Sequence, residues 1–94
     1  PDGVLDVLHT LREKGYRLAI CSSADRCKVL MNLSAIGAAE TLFDALITGT
    51  DIRNPKPDPE IYRTGAASLG LSPAACIVVE DAPSGITAAH AAGI

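Results

Sequence analysis

A chain of 94 residues is one small domain, and the scaling of surface with mass has it burying about 64% of its unfolded surface. Apolar residues at 48% and charged residues at 20% exclude a disordered chain, and the apolar runs are too short for a membrane-spanning helix. A net charge of −3 with only Tyr16, Phe43 and Tyr62 as aromatics argues against a nucleic-acid or membrane-surface binder.

Two periodicities alternate along the chain. Val4, Val7, Leu8 and Leu11 share one face of a first helix over about Val4 to Lys14, stopped by Gly15. Tyr16 to Cys21 is a short, mostly apolar run that suits a strand buried on both faces. A second helix spans about Ala24 to Ile36 with Val29, Leu30, Leu33 and Ile36 inward, Ser23 as N-cap and Gly37 as its stop. Phe43 to Thr48 reads as a second strand, and a turn-rich loop runs from Gly49 to Pro57. Asp58 and Pro59 open a third helix as N-cap and N1; it turns Ile61, Tyr62, Gly65, Ala66 and Leu69 inward and stops at Gly70. Ser72-Pro73 begins a short turn, Cys76 to Val79 reads as a third strand, and a last helix covers Ser84 to Ala92 before Gly93. Strand and helix in this alternation are βαβ units, with right-handed crossovers onto a parallel sheet. The expected fold is one α/β domain over residues 1–94, a three-layer, Rossmann-like parallel sheet with flanking helices. The chain begins on a helix, and Ile94 follows a helix stop like the first residue of another strand; both ends look cut.

Ligands of open α/β sheets bind beyond the carboxyl ends of the strands. Three polar groups fall there: Ser22-Ser23 after the first strand, Lys56 in the loop after the second, and Glu80-Asp81 after the third. A hydroxyl and backbone N–H groups can hold phosphoryl oxygens, and a lysine neutralises their charge. Adjacent carboxylates suit Mg²⁺, which takes a few carboxylates beside water and phosphate oxygens. Taken singly, Ser22 could merely cap a helix, Lys56 could be a solvated loop lysine, and Glu80-Asp81 could be a helix-entry turn. Their shared edge and order favour a site. His9 and His90 lie on helices and read as structural or surface groups. Cys21, Cys27 and Cys76 are odd in number and form no C-x-x-C, which argues against a disulfide framework or a zinc site and for reduced thiols in a cytoplasmic protein.

The ordered set resembles the haloacid dehalogenase superfamily of phosphotransferases over essentially the whole chain, and most of all its β-phosphoglucomutase-like, sugar-phosphatase branch. Pro1-Asp2-Gly3-Val4 and the helix to Gly15 are similar to the segment that re-enters the core after a cap domain. Leu18 to Ser23 resembles motif II, Lys56 to Tyr62 motif III, and Val78 to Ile86 motif IV. The resemblance implies that Ser22 binds the transferring phosphoryl group with Ser23 beside it, that Lys56 stabilises that group and the nucleophile, and that Asp81 and Glu80 serve Mg²⁺. It also implies a motif I, an Asp-x-Asp whose first Asp forms an aspartyl-phosphate. No Asp-x-Asp occurs in the 94 residues, and the cap is absent too. The expectation is therefore the C-terminal core part of a Mg²⁺-dependent phosphatase acting on a small, sugar-phosphate-like ester, inactive as it stands.

The metal-free dehalogenases of the superfamily tend to have Asn where this chain has Ser23. The mutases tend to place a Lys-Asn pair where this chain has Asp25 and Arg26, so a phosphatase is favoured over a β-phosphoglucomutase-type phosphotransferase. A non-catalytic truncated module is the other alternative. A receiver-like signalling domain has its phosphoacceptor Asp ahead of the hydroxyl and the Lys, an order this chain lacks. The family's motif I strand lies between the strands of motifs II and IV. Without it, both strands would expose unpaired edges. The expected compensations are a domain-swapped dimer, the third strand moving beside the first, or a complementing N-terminal segment.

Overall fold

The computed structural model describes residues 3–94; Pro1 and Asp2 of the re-entry segment lie outside the described residues. Four helices, α1 (Val4–Glu13), α2 (Arg26–Ala35), α3 (Glu60–Ser68) and α4 (Pro83–Ala92), alternate with β1 (Ala19–Cys21) and β2 (Ala45–Ile47). Short 3₁₀ turns at Glu40–Leu42 and Pro73–Ala75 complete the order. The two strands are parallel, with Ala19 opposite Ala45, Ile20 opposite Leu46 and Cys21 opposite Ile47. That register sorts the side chains by the period of two. Ile20 and Leu46 pack with Val29, Leu33 and Ala38 on one face of the sheet. Cys21 and Ile47 pack with Ile61, Tyr62 and the alanines of α4 on the other. The α/β architecture with a parallel sheet between flanking helices is therefore as expected from the sequence.

Local chemistry explains the boundaries. Asp44 accepts the Leu18 N–H at 2.9 Å and pairs with Arg12, which ties the end of α1 to the start of the sheet. Fully buried Thr48 ends β2, its N–H and Oγ1 both donating to Asp51 Oδ2 at 2.8 and 3.0 Å. Gly15, Gly70 and Gly93 all adopt positive φ behind their helices, the conformation that costs a side chain most.

Several expectations need correction. Both strands are shorter than their apolar runs, because only three residues of each find ladder partners. Asp25, not Ser23, caps α2, accepting the Lys28 N–H at 2.9 Å. The third helix begins at Glu60, whose N–H is taken by Asp58 at 2.9 Å. Val4, Val7 and Ile36 of the expected inner faces are exposed. The third expected strand is unpaired: among the described residues the sheet has two strands. Cys76 is extended (φ −112°, ψ 156°), and Val78 packs inward on the Ile47 cluster. Ile77 and Val79, however, are 92% and 98% exposed. The alternation of a strand survives without its ladder, because no strand lies within hydrogen-bonding distance. Moving beside β1 is thus not how this segment compensates. A groove of about 540 Å³ lies between β1 and residues 76–80, lined also by Gly65 and Ala66 of α3 and by Leu69 just after it.

Candidate active site at the carboxyl edge of the sheet

The end of β1 sets the first wall. Ser22 N–H donates to Ile47 O at 2.9 Å and extends the ladder by one bond. Its Oγ accepts the Ala24 N–H at 3.2 Å, turning the chain out toward α2. That contact uses a lone pair and leaves the O–H free to donate. Ser22 is half-buried and Ser23 exposed. The loop after β2 is latched onto this turn, with Gly49 N–H donating to Ala24 O at 2.8 Å. The approach is so close that a Cβ on Gly49 would lie 2.3 Å from Ser23 O.

Further along that loop, Glu60 reaches back from α3. It accepts the Arg53 and Asn54 N–H groups at 2.8 and 3.2 Å and the Asn54 amide at 3.1 Å. Those backbone bonds, the Arg53 N–H foremost, hold the Glu60 carboxyl below its usual range. The clasp fixes the segment that presents Lys56.

Lys56 is half-buried. Its Nζ donates to Cys21 O at 3.4 Å and to Glu80 Oε2 at 2.9 Å, and it sits 5.0 Å from the centre of the Tyr62 ring. Burial pulls the Lys56 pKa down, but the bonds to Glu80 and Tyr62 outweigh it and leave it raised, so the group is a cation at every physiological pH. Glu80 is the hub. Its Oε2 accepts from Lys56 and from the Tyr62 hydroxyl, both at 2.9 Å, and its Oε1 accepts the Asp81 and Ala82 N–H groups at 3.0 Å. The Lys56 bond first, and the Ala82 N–H next, bring its carboxyl down to about 2. Gly85 in the first turn of α4 makes room: a Cβ there would lie 2.2 Å from Glu80 Oε2. Asp81 is exposed, and its carboxylate makes no hydrogen bond or ion pair among the described residues. No cluster of three or more metal-ligating side chains forms among those residues.

The structure thus joins Lys56 to Glu80 and to the Cys21 carbonyl, next to Ser22 in the chain, and leaves Ser23 and Asp81 exposed. Burial pushes the Cys21 thiol up to about 11, which keeps it overwhelmingly protonated at neutral pH. Tyr62, Gly49 and Gly85 belong to the site's construction and were not singled out for it from the sequence. Tyr62 fitted the inward face of α3, but a buried phenol needs a hydrogen-bond partner, and that rule pointed to a polar neighbour. The two glycines gave no comparable signal, since the Ser23 backbone that crowds Gly49 and the Glu80 carboxylate that crowds Gly85 are brought there by the folded turns.

A half-buried lysine and a serine hydroxyl at the end of β1 are of the kind that hold a phosphoryl group. The family profile described as Haloacid dehalogenase-like hydrolase matches residues 1–94. The chain belongs to this family. Validoxylamine A 7'-phosphate phosphatase of Streptomyces hygroscopicus subsp. limoneus is 42% identical over 93 residues, covering 99% of this chain and 43% of that protein. The β-phosphoglucomutase of Bacillus subtilis is 36% identical over 93 residues, covering 98% and 39%. Among solved structures, CbbY from Rhodobacter sphaeroides in complex with phosphate superposes with a TM-score of 0.92 at 29% identity, covering 99% of this chain and 42% of that one. The chain spans about two fifths of the length of these haloacid dehalogenase-like relatives.

Proposed function

We propose that this chain supplies the phosphoryl-binding edge of a phosphatase acting on a small phosphorylated metabolite of sugar-phosphate type. The observation that carries the reading is the Lys56 ammonium, held half-buried against the end of β1 beside the Ser22 turn. Ser22 and Lys56 bind the equatorial phosphoryl oxygens as these gain charge, with Ser23 at the rim. The nucleophilic aspartate comes from a segment outside these 94 residues. Attack breaks the ester P–O bond, forms an aspartyl-phosphate and releases the alcohol; water then cleaves the acyl phosphate to inorganic phosphate.

Mg²⁺ fits the donor set in one way. Asp81, with a free carboxylate, would hold the ion, and Glu80 would stand behind it with its oxygens bonded to four donors. An ion that takes few protein carboxylates and fills its shell with water and phosphate oxygens suits that set, and it would neutralise phosphoryl charge. The groove beside β1 is proposed to take the complementing N-terminal strand or, failing that, a swapped element of a second copy.

A phosphatase is favoured over a mutase by two contacts. Asp25, held as the α2 cap, puts a negative charge where a second phosphate would sit, and the charge of Arg26 is answered by Glu40 at 2.8 Å. In the full-length protein, Lys56→Ala is expected to lower kcat on phosphomonoesters by about 10²–10³-fold. Turnover near wild type would overturn the assignment. The 94-residue stretch alone should not hydrolyse an aryl phosphate with or without magnesium; if it does, the nucleophile lies within it.

A further inference from the structure

Lys56 is carried by an unusually stiff stretch of chain. Pro55 and Pro57 flank it, and Pro59 leads into α3. Proline fixes its own φ and keeps the residue before it out of the helical region, so residues 54–59 have few torsions left to change. A stiff segment aims its side chains by where its two ends are held. One end runs into α3, with the Glu60 N–H on Asp58 Oδ1 at 2.9 Å. At the other end Ile52 packs on the Ile47 cluster, and beyond it the backbone hangs on one side chain. Among the described residues, the only backbone N–H groups of residues 52–57 that find an acceptor are those of Arg53 and Asn54, and both donate to Glu60, at 2.8 and 3.2 Å. The Asn54 amide adds a third bond at 3.1 Å. At the tip, Lys56 Nζ spends two of its three N–H groups on Cys21 O at 3.4 Å and Glu80 Oε2 at 2.9 Å, and the third is left for a ligand.

We propose that Glu60 is a positioning residue for phosphoryl binding: by holding the Arg53 and Asn54 backbone against the start of α3, it fixes the direction from which Lys56 meets the phosphoryl group. This rests on the phosphotransfer reading above. All the carboxylate bonds of Glu60 go to the loop, so it acts through the lysine. Glu60→Gln keeps the size of the side chain, but whichever way its amide turns, the NH₂ faces one of the two backbone N–H groups, and one tie is lost. Glu60→Ala loses all three bonds. Lys56 then stands on a loop with one end loose, and a misplacement on the order of 1 Å is enough to cost a binding group much of its effect.

The test is calorimetric titration of the full-length protein with inorganic phosphate in saturating magnesium. Glu60→Ala should weaken phosphate binding by about tenfold and Glu60→Gln by about fourfold, part or all of the worth of one hydrogen bond to a charged group. Glu60→Gln, the milder change, carries the test should Glu60→Ala fail to fold. In a Lys56→Ala background, where no ammonium is left to misplace, either substitution should cost less than about twofold. A glutamate that merely stabilises the fold would cost the same in both backgrounds. Phosphate affinity within about twofold of wild type in either folded variant overturns the proposal, and so do equal losses in the two backgrounds. A wild-type protein that binds no phosphate, or a Lys56→Ala variant that binds it as tightly as the wild type, overturns the phosphotransfer reading and this proposal with it.

Discussion

Two isoleucines of one chain, Ile61 and Ile77, have opposite fates. Ile61 on α3 is fully buried, whereas Ile77 in the segment after the second 3₁₀ turn is 92% exposed. The difference lies in the neighbours. α3 lies against both β1 and β2 and against α4, so its inward face meets apolar surface all along its length. Residues 76–80 pack one side chain in two and face a groove on the other side. An apolar pattern of period two creates a strand only where another strand accepts its hydrogen bonds. The α3 side of the molecule is thus cross-braced by helices and latched loops, and Ile77 and Val79 carry the same apolar character without a partner.

The contrast is easiest to break at Ile61. Ile61→Ala should cost about 2–5 kcal/mol, the range for emptying a filled core site, read as a shift in denaturant midpoint at unchanged slope. A loss below about 1 kcal/mol would mean that the α3 side is no better packed than the open side. Next in size is the latch between the two site loops. Gly49→Ala drives a Cβ into the Ser23 carbonyl, a backbone atom that can move only with the whole turn, and should cost about 1–3 kcal/mol as overpacking. A neutral outcome would show that the turn after β1 is free to shift.

The Glu60 clasp makes a pH prediction. Its folded pKa lies below the ordinary 4.5, so the unfolded chain takes up the proton first as the solution is acidified. The stabilisation is therefore complete above pH 4.5 and is lost as pH falls through the folded value. Glu60→Gln should flatten the acid limb of a melting-temperature profile; an unchanged limb would assign that acid sensitivity elsewhere. The smallest effect belongs to Ile77→Ala, expected within about 0.5 kcal/mol in the isolated chain. In the full-length protein, with a strand seated in the groove, the same change should rise to the cost predicted for Ile61→Ala. Equal values in the two settings would argue that nothing fills the groove.

The polar groups proposed for the site were legible because each is local. Ser22, Lys56 and Glu80 each follow a strand-like run, and a parallel sheet gathers such positions at one edge. The four donors on Glu80 were not legible. Two of them, from Lys56 and Tyr62, lie 24 and 18 residues away in sequence, and periodicity reports which face a side chain occupies, never which atom it meets there. The role of Arg26 was hidden for the same reason: its partner Glu40 lies 14 residues on.

By itself, then, the sequence determined the alternation of helices and strands, the glycine stops, the inward face of α3, the family and the chemical character of the sheet edge. These follow from backbone sterics and from apolar spacing, which act over a few residues. Tertiary structure alone decided that residues 76–79 stay unpaired, that Tyr62 serves Glu80, and that Gly49 leaves room no side chain could share. Each depends on what a distant part of the chain brings within about 3 Å, the range over which hydrogen bonds form and hard atoms exclude one another.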